Sequence, residues 1–416
     1  SVDLENGQWK NWSECVPSFF DTADDEFEID PKNLKFYNVV VPTPETVRLT
    51  YIIKKMLLAK KNVIIRGPIG SGRRLLSRSI LKDLMESDNC LYHTLQFSAS
   101  TSSDRIHKFF STMYEVQHSN RVLQPPGGKS SVLYVQDINT PFPDETNSIR
   151  SIELLCQLIA LKGYRPLPNM EWLDVRNIAL LAVGIPDRGL GSSLPSRLSR
   201  HCLNIKVPAP DSSTSFFIMN SIWQLYFRTY DDSVKSLIPK LAHVSIQVYE
   251  SFQQLFPARR DKPFYFISLH DLMRLTESLL SARPKTIRNG QQLERLWYHE
   301  VVRTFSDRFE NSEDVKKFDE MLMTIFKKLG SNQNATKLTT TLFGSFKSDE
   351  KGDKNYSEFE NISKIIKTFD DVQNNSVNSR RNGNDKVTLF EHYAKHVARI
   401  ARIFEKKRGH MLLVGK

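Results

Sequence analysis

The chain has 416 residues, of which 40% are apolar and 25% are charged. This length and composition predict a folded protein of more than one domain and exclude a chain that is disordered throughout. Its net charge of +11 is concentrated in residues 46–82, with ten Lys/Arg and no Asp/Glu, and in residues 380–416, with a net charge of +7. Such charge can face phosphates, an acidic protein or solvent.

The four cysteines, Cys15, Cys90, Cys156 and Cys202, are far apart and form no Cys-x-x-Cys pair. This spacing argues against a disulfide scaffold or a cysteine zinc site and favours a reducing compartment. The N-terminus has no signal-peptide pattern, and no apolar run approaches the roughly 18 residues of a membrane span. We therefore expect an intracellular chain without a membrane segment.

The first 210 residues predict a lead-in segment, residues 1–40, and then an α/β domain, residues 41–210. Thr43 and Pro44 are typical of a helix start, and the apolar spacing extends this helix to Leu57. Strands are predicted at 62–66, 91–97, 132–135, 177–183 and 203–207, and those at 62–66 and 177–183 are expected to be buried. Helices are predicted at 75–84, 102–116, 149–161 and 195–201. Apolar strands that alternate with helices predict a parallel sheet covered on both faces.

Beyond residue 210 the apolar periodicity becomes helical, and residues 211–330 predict an all-helical lid. Residues 331–386 are polar, with low-complexity patches at 347–356 and 373–385, and predict a linker with mobile loops. Residues 387–416 predict a helix to Lys407 and then a strand at 409–416 that leads into a second glycine loop. This last segment is expected to begin a further domain.

A glycine-rich loop, formed by Gly67, Pro68, Ile69, Gly70, Ser71 and Gly72, lies between a predicted strand and a predicted helix. It fits the start of the P-loop pattern G-x-x-x-x-G-K-[ST], in which backbone N–H groups and the helix N-terminus hold phosphate oxygens. The two following positions are Arg73 and Arg74. Arg73 keeps a cation near the phosphates, whereas Arg74 replaces the hydroxyl that would ligate Mg²⁺.

The strand at 132–135 ends in Gln136 and Asp137, where an active P-loop enzyme has two acids. Gln136 is neutral and is a poor magnesium ligand, and Asp137 is one methylene shorter than the Glu that would orient the attacking water. We therefore predict a nucleotide-binding site without catalytic residues and without a resident metal. Two states remain open: phosphate binding without hydrolysis, for instance of a diphosphate, and an empty structural loop.

Several longer strings resemble one known family. They are Val39-Val-Val-Pro-Thr-Pro-Glu-Thr-Val-Arg48, Asp137-Ile-Asn-Thr-Pro141, Leu194-Pro-Ser-Arg-Leu-Ser-Arg-His201, Phe266-Ile-Ser-Leu-His-Asp-Leu-Met-Arg274 and Leu296-Trp-Tyr-His-Glu-Val-Val-Arg-Thr-Phe-Ser-Asp-Arg308. Together they resemble the dynein heavy chain family over nearly the whole chain. The resemblance is to the third AAA+ module of the motor ring, running into the start of the fourth.

The resemblance implies an α/β AAA+ core with a five-stranded parallel sheet and a helical lid. It implies a regulatory, non-hydrolysing module of an ATP-driven microtubule motor, holding ADP or ATP without productive Mg²⁺, or empty. The implied partners are neighbouring AAA+ modules of the same heavy chain, intermediate and light chains through the parent, and the microtubule indirectly, with no nucleic acid and no membrane. The implied location is the cytoplasm and cytoskeleton, including the axoneme of a cilium or flagellum.

The resemblance also implies roles for four further residues. Gly184 and His270 stand at sensor-like positions, where the family has a polar residue and an arginine. Arg197 and Arg200 fall where the family presents arginines to a neighbouring module, and a purely structural pair at a helix end is the alternative for them.

Two other function classes are kept as alternatives. The first is a self-contained P-loop ATPase, which steady-state turnover would reveal. The second is a basic AAA+ protein that binds nucleic acid, which would show steep, salt-dependent affinity for DNA.

Overall fold

The computed structural model describes residues 9–22, 38–117, 121–146, 148–167, 170–186, 193–284, 286–328, 338, 341–348, 354–359, 363, 366–367, 390–406 and 409–413. The chain divides into two compact units. The first unit comprises residues 1–18 and 42–210, and the second comprises residues 19–41 and 211–416.

The α-helices of the described residues are α1 Phe19–Thr22, α2 Pro44–Leu58, α3 Arg73–Ser87, α4 Ser103–Met113, α5 Arg150–Ala160, α6 Ser196–Ser199, α7 Ser212–Tyr226, α8 Asp232–Lys235, α9 Ile238–Leu255, α10 Leu269–Leu280, α11 Gly290–Phe305, α12 Ser312–Lys327 and α13 Glu391–Phe404. The strands are β1 Asn62–Arg66, β2 Leu91–Gln96, β3 Glu115–Gln117, β4 Val122–Gln124, β5 Ser131–Gln136, β6 Gly163–Tyr164, β7 Leu173–Val175, β8 Ile178–Gly184, β9 Cys202–Lys206, β10 Leu342–Ser348 and β11 Lys354–Phe359.

The first unit is built on a five-stranded parallel sheet with the strand order β2-β5-β8-β1-β9. This confirms the predicted α/β class. The central strand β8 pairs with β5 and β1, and β1 pairs with β9 on its other side. The helix before β1 begins as predicted, because Thr43 Oγ1 accepts a hydrogen bond from Thr46 N at 3.2 Å and caps the first turn.

A second, four-stranded sheet with the order β3-β4-β7-β6 was not predicted. The helix predicted over 102–116 ends at Met113, because Glu115–Gln117 leaves the helix and pairs antiparallel with Val122–Gln124. The four strands are only two or three residues long. Segments this short carry no recognisable alternation of apolar and polar residues, so local pattern does not predict them.

Apolar side chains cover both faces of the five-stranded sheet. Ile64 and Leu133 pack on the face covered by α4 and α5, while Val63 and Val132 pack on the face covered by α2 and α3. Neighbouring residues of one strand therefore serve opposite cores, as the alternation of side chains along a strand requires. This is why the inner strands β5, β8 and β1 are largely continuous apolar runs.

The second unit is a helical assembly around buried aromatic side chains. Trp223 on α7 and Trp297 on α11 are fully buried. Each indole finds a hydroxyl partner: Trp223 Nε1 donates to Thr276 Oγ1 at 3.1 Å, and Trp297 Nε1 donates to Ser245 Oγ at 2.7 Å. These bonds satisfy the only polar atom of each ring and fix its orientation in the core.

A buried charge cluster lies in the same unit around Glu300 of α11, which has no exposed surface. Its carboxylate accepts hydrogen bonds from Arg402 of α13, with Nε at 2.9 Å, and from the Tyr356 hydroxyl of β11. Burial raises the pKa of Glu300, but the charge of Arg402 and a hydrogen bond from His299 outweigh it and hold this pKa well below its ordinary value. The cluster therefore joins a lid helix, a hairpin strand and the last helix through one carboxylate.

The end of the chain departs from the prediction in two places. Residues 342–348 and 354–359, which overlap the predicted low-complexity patch at 347–356, form the antiparallel hairpin β10–β11. Residues 409–413 form no strand, contrary to the strand predicted there, and no strand pair of the described residues includes them. The patch at 373–385 and residues 414–416 lie outside the described residues.

Candidate functional site

The glycine-rich loop, residues 67–72, connects the carboxyl end of β1 to the first turn of α3. Gly70 and Gly72 have φ angles of 84° and 73°, which favour glycine. A Cβ on Gly67 would lie 2.7 Å from the Val207 carbonyl oxygen, so the backbone approaches too closely for a side chain. Because Gly72 is the N-cap of α3, no side chain at this position caps the helix, and the first-turn N–H groups remain suited to an anion.

The Arg73 side chain folds back into this loop and is 7% exposed. Its Nη1 donates to the carbonyl oxygens of Gly67 at 2.6 Å and Pro68 at 2.5 Å. Burial, followed by the charge of Arg74, lowers the pKa of Arg73. Arg73 therefore places a cation in the loop, where part of its hydrogen-bonding capacity is used by the loop itself, and its contact with phosphates stays a prediction.

Two polar atoms of the loop region are buried and have no hydrogen-bond partner in the described part of the chain. They are Ser71 Oγ and Arg73 Nε. Both can donate to a phosphate oxygen, and a buried donor without a partner is costly unless a ligand or water satisfies it. These two atoms, the glycine backbone and the first turn of α3 fit a phosphate group. Ile69 of the same loop is half exposed and apolar, so its side chain offers no group to a phosphate.

Arg74 and Asp137 form an ion pair with each other. Arg74 stands where a magnesium-binding hydroxyl is expected, and Asp137 stands where the water-orienting acid is expected. Asp137 also has a left-handed backbone, with a φ of 55°. The ion pair directs the Asp137 carboxylate toward the Arg74 guanidinium. The side chains at the magnesium-binding and water-orienting positions therefore bind each other.

Gln136 ends β5 and is buried, and its neutral amide brings no negative charge to the site. Asn139, which the sequence did not single out as a site residue, is also buried. Its amide forms two hydrogen bonds of 3.1 Å with the backbone N–H and carbonyl oxygen of Ile185. A Cβ on Gly184 would lie 2.9 Å from Asn139 Oδ1. The glycine at this sensor-like position therefore leaves space for the Asn139 side chain. The Asp137-Ile-Asn139 string was the sequence signal from which Asn139 could have been identified as a site residue.

His270 lies in the first turn of α10, in the second unit. The preceding Ser268 caps this helix, and the Asp271 carboxylate accepts from Ser268 N at 2.9 Å and from Arg308 Nη2 at 2.8 Å. Desolvation by the surrounding protein, followed by the charge of Arg274, lowers the pKa of His270. The lowered pKa disfavours the charged imidazole, so this position does not supply the permanent cation of an arginine.

Arg197 and Arg200 lie in and directly after the short helix α6, and both are exposed. Arg197 Nη1 is 3.0 Å from Glu153 Oε2 of α5, and Arg200 Nε donates to His201 Nε2 at 3.1 Å. The Arg197–Glu153 ion pair is the kind of contact expected if the two arginines only stabilise the helix end. Arg197 and Arg200 are also exposed, as presentation to a neighbouring module requires, so the inter-module role stays a prediction.

Within the residues that the structure describes, no group of three or more His, Cys, Asp or Glu side chains could hold a metal ion. The same part of the chain contains no helix that is both long and apolar enough to cross a lipid bilayer.

Two family models match successive parts of the chain. The model of the P-loop containing dynein motor region matches residues 27–210, and that of the dynein heavy chain ATPase lid domain matches residues 219–315. The chain belongs to the dynein heavy chain family. The family recognised from the sequence strings is therefore confirmed, together with the AAA+ P-loop core and its lid.

Curated relatives match over nearly the whole chain. The chain is similar to dynein axonemal heavy chain 6 of Homo sapiens, with 27% identity over 100% of this chain and 10% of the relative. Dynein heavy chain-like protein 2 of Plasmodium falciparum is 25% identical over 99% of this chain and 8% of its own length. Dynein axonemal heavy chain 12 of Rattus norvegicus is 26% identical over 99% of this chain and 14% of its own length. The chain thus spans about a tenth of the length of these dyneins.

Proposed function

We propose that this chain is a regulatory AAA+ module of a dynein heavy chain that does not hydrolyse ATP. Its place would be the third module of the motor ring, running into the fourth. The observation that carries the proposal is the Arg74–Asp137 ion pair. In this pair, the side chain at the magnesium-binding position and the side chain at the water-orienting position bind each other. The neutral Gln136 removes a further magnesium ligand.

The loop is proposed to bind the phosphates of ADP or ATP without a productive magnesium ion. Ser71 Oγ and Arg73 Nε, buried donors without a partner among the described atoms, support binding over a purely structural loop. The residues that would hold the phosphates are the backbone of 67–72, the Ser71 hydroxyl and the Arg73 guanidinium. These groups would hold the negatively charged phosphates of a bound nucleotide in place. The module would transmit nucleotide binding to its neighbours as a conformational change.

The parent is proposed to be an ATP-driven microtubule motor, because the matched relatives are dynein heavy chains. Its other AAA+ modules would be the direct neighbours of this chain, and intermediate chains, light chains and the microtubule would be reached through the parent. The axonemal names of two relatives support a place in the cytoskeleton of a cilium or flagellum.

The first test is the nucleotide content and metal dependence of the purified chain. We expect mass analysis after denaturation to recover stoichiometric ADP. We also expect a fluorescent ADP analogue to bind equally well in Mg²⁺ and in EDTA, since the site offers no hydroxyl at residue 74 and no carboxylate at residue 136. Arg73→Gln should weaken this binding, whereas Arg48→Gln, which removes an exposed cation paired with Glu45 on α2, should not. Binding that is tenfold tighter with Mg²⁺ would contradict the metal-free site.

The second test is steady-state ATP turnover. The wild-type chain should show no turnover above background, and neither should Asp137→Asn. Turnover in the wild type that disappears in Asp137→Asn would show a working catalytic acid and would overturn the proposal in favour of a self-contained ATPase.

A further inference from the structure

A cavity of about 330 Å³ opens at the edge of the sheet opposite the glycine loop, in the same unit. It lies where β1 and β8 begin, at Asn62 and Ile178, whereas the glycine loop follows the carboxyl end of β1. Small-molecule sites in proteins start at about this volume. The cavity is therefore separate from the proposed nucleotide site.

The floor of the cavity is apolar and belongs to the core between the sheet and α5. Leu133 of β5, Leu155 and Leu158 of α5, and Leu180 of β8 line it, and all four are buried. Ile159 of α5 also lines the cavity and is partly exposed. An aliphatic ligand in this cavity would contact apolar side chains and bury its own apolar surface away from water, which is favourable.

The rim of the cavity is positively charged. Lys60, Lys162 and Arg176 line it, all three side chains belong to exposed residues, and the lining contains no Asp or Glu. Over the described range of the chain, none of the three forms an ion pair. Lys60 Nζ instead donates to Asn177 Oδ1 at 2.8 Å. Three cations around one apolar opening favour a ligand with an anionic head group.

We propose that this cavity binds a medium-chain carboxylate, with the aliphatic tail on the leucine floor and the carboxylate among Lys60, Lys162 and Arg176. The volume of about 330 Å³ lies at the lower end of small-molecule sites, which suits a ligand of the size of octanoate or decanoate. The inference does not rest on the proposed nucleotide chemistry, since it uses none of the same residues.

The test is isothermal titration of the chain with hexanoate, octanoate, decanoate and tetradecanoate at low salt. Affinity should rise about threefold to fourfold per methylene up to decanoate, from ~0.8 kcal/mol per buried CH₂, and should then stop rising because the cavity is full. Decanol, which has the same tail and no charge, should bind at least tenfold more weakly than decanoate.

Three variants locate the site. Ile159→Trp fills the cavity without changing its charge and should abolish decanoate binding. Replacing Lys60, Lys162 and Arg176 together by Gln should weaken it at least tenfold. Lys61→Gln removes an exposed charge next to the rim that does not line the cavity, and it should leave the affinity unchanged within twofold.

The proposal is wrong if decanoate shows no saturable binding at millimolar concentration, or if decanol binds as tightly as decanoate. It is also wrong if Ile159→Trp and the triple variant, shown by circular dichroism to be folded, both bind decanoate like the wild type.

Discussion

Replacing Glu300 by Gln is expected to destabilise the helical unit by about 3–5 kcal/mol. The carboxylate has no exposed surface and accepts hydrogen bonds from Arg402 and Tyr356. Gln keeps the shape and one acceptor oxygen but leaves the Arg402 guanidinium without a buried counter-charge. Removing one partner of a buried pair costs this much because the remaining charge is neither hydrated nor neutralised.

The assay is urea unfolding followed by tryptophan fluorescence, because Trp223 and Trp297 are fully buried in this unit. With an m-value of about 2–3 kcal/mol per molar urea, the midpoint should fall by about 1–2 M. Lys395→Met is the matched control, since it breaks an exposed pair with Glu391 on the same helix as Arg402. Exposed pairs of this kind are worth at most about 0.5 kcal/mol.

A double-mutant cycle identifies the pair as the cause. Glu300→Gln with Arg402→Met should be less destabilised than the two single variants predict together, by about 2–3 kcal/mol, since neither charge is then left alone. A loss below 1 kcal/mol in Glu300→Gln, or additive effects in the double variant, would refute the reasoning.

The same pair predicts a pH dependence with a definite sign. The pKa of Glu300 is lowered in the folded state relative to its ordinary value of 4.5. Its contribution to stability is therefore present above this ordinary value and is lost as the pH falls through the folded-state pKa. The stability difference between the wild type and Glu300→Gln should be constant near neutral pH and should shrink below about pH 4.5.

Two further substitutions test contacts described above. Gly184→Ala should destabilise the α/β unit by about 1–3 kcal/mol, because its Cβ would lie 2.9 Å from Asn139 Oδ1. Thermal unfolding measures this cost, and an unchanged midpoint would show that Asn139 moves aside freely. Ser245→Ala should cost about 1–3 kcal/mol by leaving the Trp297 indole N–H buried without its acceptor. Urea unfolding measures it, with Ser236→Ala on the exposed surface as a control, and equal losses in both variants would contradict the expectation.

The sequence predicted those parts of the fold that are governed by local pattern. The three inner strands of the five-stranded sheet, β5, β8 and β1, are largely apolar runs, and β5 is buried at every position, so composition and length alone identify them. The start of α2 follows from Thr43 and Pro44. The small sheet and the β10–β11 hairpin were missed because their strands are short or polar, and pairing with a partner strand decides their conformation.

The candidate site was located by sequence but its internal contacts were not. The identities of Arg73, Arg74, Gln136 and Asp137 already indicated lost magnesium chemistry. That Arg73 turns back onto the loop carbonyls depends on the curvature of the loop, and the Arg74–Asp137 pair joins positions 63 residues apart. The Glu300 cluster is hidden for the same reason, because Arg402 is 102 residues away along the chain. Contacts between distant positions follow from the packed fold, which local spacing does not encode.

The altered residues at the glycine loop support one another chemically. Arg74 alone would place a second cation near Arg73, and, after burial, its charge contributes to the lowered pKa of Arg73. Asp137 offsets this repulsion, because its carboxylate pairs with Arg74. A carboxylate held in this way is a poorer magnesium ligand, and Gln136 adds no negative charge that would draw the metal back. Restoring one residue at a time should therefore not restore magnesium binding. Arg74→Thr leaves Gln136 in place, and Gln136→Asp leaves Arg74 as a competing cation. Magnesium dependence of nucleotide binding is expected only when both are replaced together.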